Sequence, residues 1–159
     1  MKEKEIRTNA MRILEKNNCS YEVFTYEVDL EHLDAVHAAA SAGLDVDQVF
    51  KTIVMTTNDK RIFVFCIPGN QEISLKKARD LTDSKTIELI KLDNLQKLTG
   101  YIRGGCSPLG MIRQYPTFIE ETAQLYPYIY VSAGLRGVQL KVDPNDLLKC
   151  CDGTFASLY

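Results

Sequence analysis

Lys51 stands in the run Phe50-Lys51-Thr52-Ile53-Val54-Met55, where apolar and β-branched residues predict a strand. A strand alternates its faces, so Lys51 shares a side with Ile53 and Met55. An ammonium placed there must meet a carboxylate, reach solvent or serve a ligand. A lysine that lays its stem along apolar surface with its head in water satisfies the same pattern. Two glycine-bearing segments could supply chemistry of a second kind. Gly100 to Gly110 holds four glycines in eleven residues, with Gly104-Gly105 paired and Ser107-Pro108 behind them. Such a loop can turn backbone N–H groups toward an anion or a carbonyl oxygen. Val131-Ser132-Ala133-Gly134-Leu135-Arg136-Gly137 reads as a tight connection between strands. Its Arg136 can pair with a phosphate or carboxylate, or simply be the solvated arginine of a hairpin.

Other reactive side chains point to less. His32 and His37 are five apart, which puts them on different faces of a helix, and no further ligand at suitable spacing completes a metal site. Cys106 lies inside the first loop, but a nucleophilic thiol needs a lowered pKa and a base, and the sequence supplies neither. Lys76-Lys77-x-Arg79 reads as a solvated helix face that could also touch RNA phosphates. Five cysteines, an odd number without C-x-x-C spacing, argue against a disulfide framework and suit a reducing compartment. Cys150 and Cys151 end a predicted helix and carry no assigned chemistry. Dinucleotide, Walker and G-x-S-x-G motifs are absent from the sequence.

The elements that must position these residues follow from periodicity. Helices are predicted over 4–16, 34–42, 74–81 and 93–98, with a last one opening at Pro144. Strands are predicted over 21–26, 50–57, 61–67, 86–89, 117–121, 128–132 and 137–142. The clearest hairpin turns at Asn58-Asp59-Lys60. Strands in hairpins outnumber strand-helix-strand crossovers. The expectation is therefore an α+β fold, with a mixed, largely antiparallel sheet or a partly closed barrel surrounded by helices.

The 159 residues fit one domain spanning 1–159. No apolar run approaches the roughly 18 residues that cross a bilayer. The charged start lacks the apolar centre of a signal peptide, so a cytoplasmic address is expected. Net charge is −2, from nineteen basic and twenty-one acidic side chains. That balance is poor for strong unaided binding to nucleic acid, which takes many phosphate contacts.

Taken in order, Tyr21 with Thr25-Tyr26-Glu27, Gln48-Val49-Phe50-Lys51-Thr52, the loop Gly-Gly-x-Ser-Pro-Leu-Gly and the turn Ser-x-Gly-x-Arg-Gly resemble the YbaK/EbsC family. That family is related to the editing domain inserted in bacterial prolyl-tRNA synthetases, and the similarity runs through nearly the whole chain. The resemblance implies a deacylase for mischarged tRNA, chiefly cysteine on proline tRNA, with no metal or cofactor. It puts the family's essential lysine on Lys51. It also puts substrate-binding positions on Tyr21, Thr52, Gly104, Gly105, Ser107, Ser132, Gly134, Arg136 and Gln139. Some members carry an acidic residue where Gln139 stands, so a mechanism needing that carboxylate does not transfer.

In the family's mechanism the substrate's own thiol attacks its ester carbonyl, which agrees with the lack of an evident protein nucleophile or base. The implied partners are the 3′ aminoacyl-adenosine end of mischarged tRNA and prolyl-tRNA synthetase in a ternary complex. Two other readings stay open at the level of sequence. One is a deacylase for another small amino acid such as alanine, and the other is a noncatalytic module that binds aminoacyl-tRNA or a synthetase.

Overall fold

The computed structural model describes residues 6–159. Of the helix predicted from residue 4, residues 4 and 5 lie outside the described range. Helix α1 (Asn9–Lys16) begins where the Thr8 hydroxyl accepts from Met11 N, so the cap rather than the apolar periodicity sets its start. It buries Ala10, Met11 and Leu14. Strand β1 (Glu22–Thr25) follows.

Helix α2 (Ala35–Ala42) is capped by Asp34 and stopped by Gly43 in the left-handed region. A 3-10 turn (Val46–Gln48) then leads into β2 (Phe50–Thr57). Strand β3 (Ile62–Pro68) returns antiparallel in the expected hairpin, pairing Lys51 with Ile67 and Thr56 with Ile62. After it come α3 (Leu75–Thr82), β4 (Ile87–Leu89) and α4 (Leu92–Thr99). The chain ends with β5 (Thr117–Glu120), β6 (Ile129–Ser132), β7 (Val138–Val142), α5 (Pro144–Cys150) and β8 (Thr154–Ala156).

The α+β class holds, with mixed, largely antiparallel sheets that do not close into a full barrel. The strands make two sheets, one ordered β1-β7-β6 and the other β4-β2-β3-β5-β8. The first is antiparallel throughout, whereas β5 runs parallel to both β3 and β8 in the second. Strand β8 was not expected. It is three residues long, and its pairing with β5 brings together segments more than thirty residues apart in sequence.

A parallel bridge from Val49 to Tyr130 joins the sheets at the entrance to β2. Inside, Phe50, Cys66 and Ile119 of the larger sheet meet Val131, Leu140 and Val142 of the smaller one, with Leu14 and Leu147 from α1 and α5. Each fully buried aliphatic side chain of this kind contributes about 1.5–3 kcal/mol. A second cluster, built on Met55, Phe65, Ile67 and Ala78, packs α3 on the opposite face.

The two glycine segments are fastened to each other. A Cβ on Gly105 would lie 3.0 Å from Arg136 N, so the backbones touch directly. Arg136 Nε donates to the Arg103 carbonyl at 2.8 Å, and the Tyr101 hydroxyl donates to the Leu109 carbonyl at 2.6 Å. Gly134 has φ +101°, and a Cβ there would come within 2.9 Å of the Tyr101 ring. Both the backbone conformation and the ring contact exclude a side chain. Gly134→Ala is expected to cost about 2–3 kcal/mol of stability, from left-handed strain and displacement of Tyr101. Urea unfolding should show it as a lower midpoint with an unchanged slope.

Candidate active site

A cavity of about 250 Å³ lies where the two sheets meet, between the start of β2, the end of β6, β7, α2 and the first glycine loop. It is smaller than the roughly 300–1,000 Å³ of sites that take drug-sized ligands, so it suits a small moiety. Alternation along β2 supplies its cationic wall. Phe50 is 2% exposed and locked in the core, which turns Lys51 to the other side. Strand β4 pairs only with Met55, Thr56 and Thr57, so the edge of β2 beside Lys51 and Thr52 is left open. Helix α2 closes that end, bringing Asp34, Ala35 and Ala38 to the cavity.

Among the described residues no carboxylate lies within ion-pairing distance of the Lys51 ammonium. Burial lowers its pKa from 10.5, and the more distant charges of Glu72 and Asp34 oppose that shift. Across the cavity stands Gln139, 6% exposed and paired in register with Ser132. Its neighbours Val138 and Leu140 face the core, so Gln139 faces away from it. Gln139 Oε1 is buried without a hydrogen-bond donor, a cost that buried polar atoms rarely bear. The Ser132 hydroxyl accepts from Gly134 N at 3.1 Å and orders the turn.

Cys106 also lines the cavity, and burial pushes its thiol up to about 12. At neutral pH it is therefore protonated and a weak nucleophile. Asp34 is held as a carboxylate. It accepts from the backbone N–H of His37, and His37 Nδ1 lies 2.8 Å from it, which together lower its pKa. The separate-faces expectation for the histidines is corrected. His32 precedes the α2 cap, and its ring stacks on His37 with centroids 4.3 Å apart.

Of the residues expected at the site, Lys51, Thr52, Gly104, Ser132 and Gln139 line one cavity. Tyr21 does not. Its hydroxyl bonds Glu15 of α1 and its ring packs on the main core, because it precedes β1 on the side toward α1. The residue of that strand region at the cavity is Tyr26. Gly105, Ser107 and Gly134 sit behind the wall. Ser107 is fully buried, and its hydroxyl accepts from Leu109 N. Arg136 lies at the rim, in a neighbouring cleft of about 10 Å³ that also includes Tyr26, His37 and Gly104. Sequence reasoning missed Tyr26, Asp34 and Arg103. Asp34 carried a signal, an aspartate at the head of the alanine-rich helix predicted over 34–42, and was counted there as part of the helix.

The described residues include no helix long and apolar enough to cross a membrane. A small cavity with one amine outside any ion pair, walled by two mutually locked loops, defines a site for a compact ligand with negatively polarised oxygens. The model of the aminoacyl-tRNA editing domain matches residues 31–150, and the chain belongs to that family. It is 41% identical, over 99% of its length and 96% of the relative's, to EbsC of Enterococcus faecalis (strain ATCC 700802 / V583). That relative has the provisional assignment of Cys-tRNA(Pro)/Cys-tRNA(Cys) deacylase. Two solved structures share the fold. One, provisionally described as a trans-editing enzyme for prolyl tRNA synthetase, superposes with a TM-score of 0.79 at 22% identity, covering 97% of this chain and 98% of its own. The other, an epitope-presenting scaffold from computational design, gives 0.81 at 22% identity over 96% and 97%.

The electrostatics of Lys51 can be tested directly. An NMR titration of its amine should give a midpoint below 10.5, and Glu72→Gln should lower it further by removing an opposing anion. A base with a depressed folded pKa penalises folding while it is charged. The penalty is full below the folded pKa and relieved as pH rises from there toward 10.5. Lys51→Met should therefore keep or raise the melting temperature at pH 7.

Proposed function

We propose that this chain, acting as one catalytic unit over 1–159, removes cysteine mischarged onto tRNA(Pro) and also deacylates Cys-tRNA(Cys). Family membership makes an aminoacyl-tRNA editing reaction the starting point. The observation that carries the finer reading is the pairing of an unpartnered Lys51 amine with a cavity whose one thiol, Cys106, is protonated at neutral pH. Such a site has electrostatic positioning to offer and needs a substrate that brings its own nucleophile.

In this mechanism the substrate cysteine's S–H gives up its proton as sulfur attacks the ester carbonyl carbon. A C–S bond forms, the C–O ester bond breaks, and the departing ribose oxygen takes a proton. The products are a cyclic thioester of cysteine and tRNA with a free 3′ end. Lys51 holds a phosphate or ribose oxygen of the terminal adenosine. Backbone N–H groups around Gly104 orient the ester carbonyl and stabilise charge growing on its oxygen. Gln139 accepts from the substrate's α-amino group, which would satisfy its orphaned Oε1. A neutral amide does this without repelling the developing thiolate, as a carboxylate at the same place would. Thr52 and Ser132 complete the walls.

Cysteine and proline are close in size, and a synthetase pocket separates such pairs by only about 1–3 kcal/mol per differing group. A second site that requires a thiol rejects on chemistry instead of volume. The modest charge favours action beside prolyl-tRNA synthetase, where a ternary complex would raise the effective concentration of the mischarged end, and the place of that action is the cytoplasm.

Single-turnover deacylation of cysteinyl-tRNA(Pro) tests the reading. Lys51→Ala should lose at least about a hundredfold in rate, the scale for losing one transition-state contact. Cys106→Ala should retain most of the activity, and alanyl-tRNA(Pro) should be a poor substrate for the wild type. A folded but inactive Cys106→Ala protein would overturn the substrate-thiol mechanism. Gln139→Leu should raise KM more than it lowers kcat, and N-acetylation of the substrate amine should erase the difference between variant and wild type.

A further inference from the structure

Beside the cavity runs an open groove between α4, the first glycine loop and the β6–β7 turn. Leu33 and Arg103 belong to both. Three cations line the groove, Lys97 of α4, Arg103 of the loop and Arg136 of the turn, against one acid, Asp93. Among the described residues none of the three is in an ion pair. Arg136 uses only Nε, on the Arg103 carbonyl, which leaves its terminal nitrogens available. Local charge is thus positive in a chain whose net charge is −2. Apolar surface is interleaved with the cations: Leu92 is 60% exposed and Ile102 43%.

Unpaired cations spaced along a groove, with apolar side chains between them, match a single strand of nucleic acid. Phosphates meet the cations and bases lie on the apolar surface. An acidic protein segment would also meet the charges, but the groove ends at the cavity that is to take the terminal adenosine. Continuity favours the strand attached to that adenosine. We infer that the groove of Lys97, Arg103 and Arg136 carries the single-stranded nucleotides immediately before the terminal adenosine of the tRNA. This rests on the deacylase reading of the cavity. It departs from the other basic stretch in the sequence, Lys76-Lys77-x-Arg79, where Lys76 faces Asp80 and Lys77 is tied to Ser157 and the Tyr159 carbonyl.

Two nonhydrolysable probes separate groove from cavity: a cysteinyl-amide of 3′-amino-adenosine, and the same group ending a short single-stranded RNA. Binding is measured from 50 to 200 mM salt, so that turnover plays no part. Each phosphate contact on a single strand adds about 0.7 to the slope of log affinity against log salt. Lys97→Gln should lower the slope for the RNA probe by about 0.7, and Lys97→Gln/Arg103→Gln by about 1.4. Affinity for the adenosine probe should be unchanged in Lys97→Gln. Lys76→Gln/Arg79→Gln should keep the wild-type slope.

Wild-type slopes in both groove variants would overturn the inference, as would a reduced slope in Lys76→Gln/Arg79→Gln alone. If the groove variants bind the RNA probe normally but lose stimulation by prolyl-tRNA synthetase, the groove is a protein dock and the RNA assignment falls. Normal binding of both probes without turnover of cysteinyl-tRNA(Pro) would sink the deacylase reading and leave the groove assignment standing.

Discussion

The site depends on how the chain enters β2. Val49 bridges to Tyr130 of the other sheet, Phe50 is driven into the core between the sheets, and the next side chain has to emerge on the opposite side. Strand geometry allows no other outcome while Phe50 stays buried. Because β4 covers only the far half of β2, Lys51 emerges at an open edge and not beneath a neighbouring strand. A core-locked residue of the strand therefore aims the amine beside it. The flat face of α2, with Ala35 and Ala38 in place of larger residues, leaves room for a cavity at that end.

A second constraint holds the opposite wall. The loop at 100–110 and the turn at 132–137 touch backbone to backbone at Gly105, and the Tyr101 ring fills the space under Gly134. Neither segment has regular structure of its own, yet each is immobilised by the other. This permits loop backbone to serve as a positioned wall, which loops alone do poorly. The same contact delivers Arg136 to the rim, so that its guanidinium braces Arg103 and still presents nitrogen to the groove.

Within the cavity, burial has opposite consequences for Lys51 and Cys106. It weakens the hold of Lys51 on its proton and strengthens that of Cys106. Glu72 and Asp34 temper the first effect from a distance without forming an ion pair, which leaves the amine free to meet a ligand. Gln139 adds an unsatisfied acceptor and no charge. Such an interior favours ligand chemistry in which negative charge appears on the ligand.

Much of this was legible in the residues. The β2–β3 hairpin, the helices α2 and α3, Lys51 and both glycine segments follow from local rules, because strand alternation, helical periodicity and turn geometry are set by neighbours a few positions apart. Pairing over long separations was not legible. Strand β8, the parallel partners of β5 and the split into two sheets rest on contacts between distant segments. Tyr21 shows the difference well. The family resemblance implied a binding role for it, but its hydroxyl bonds Glu15 of α1, and Tyr26 stands at the cavity instead. By itself the sequence determined which side chains could do chemistry and the elements that carry them. Only the tertiary structure decided which of them share one enclosed space, since that depends on how two sheets and two loops close on each other.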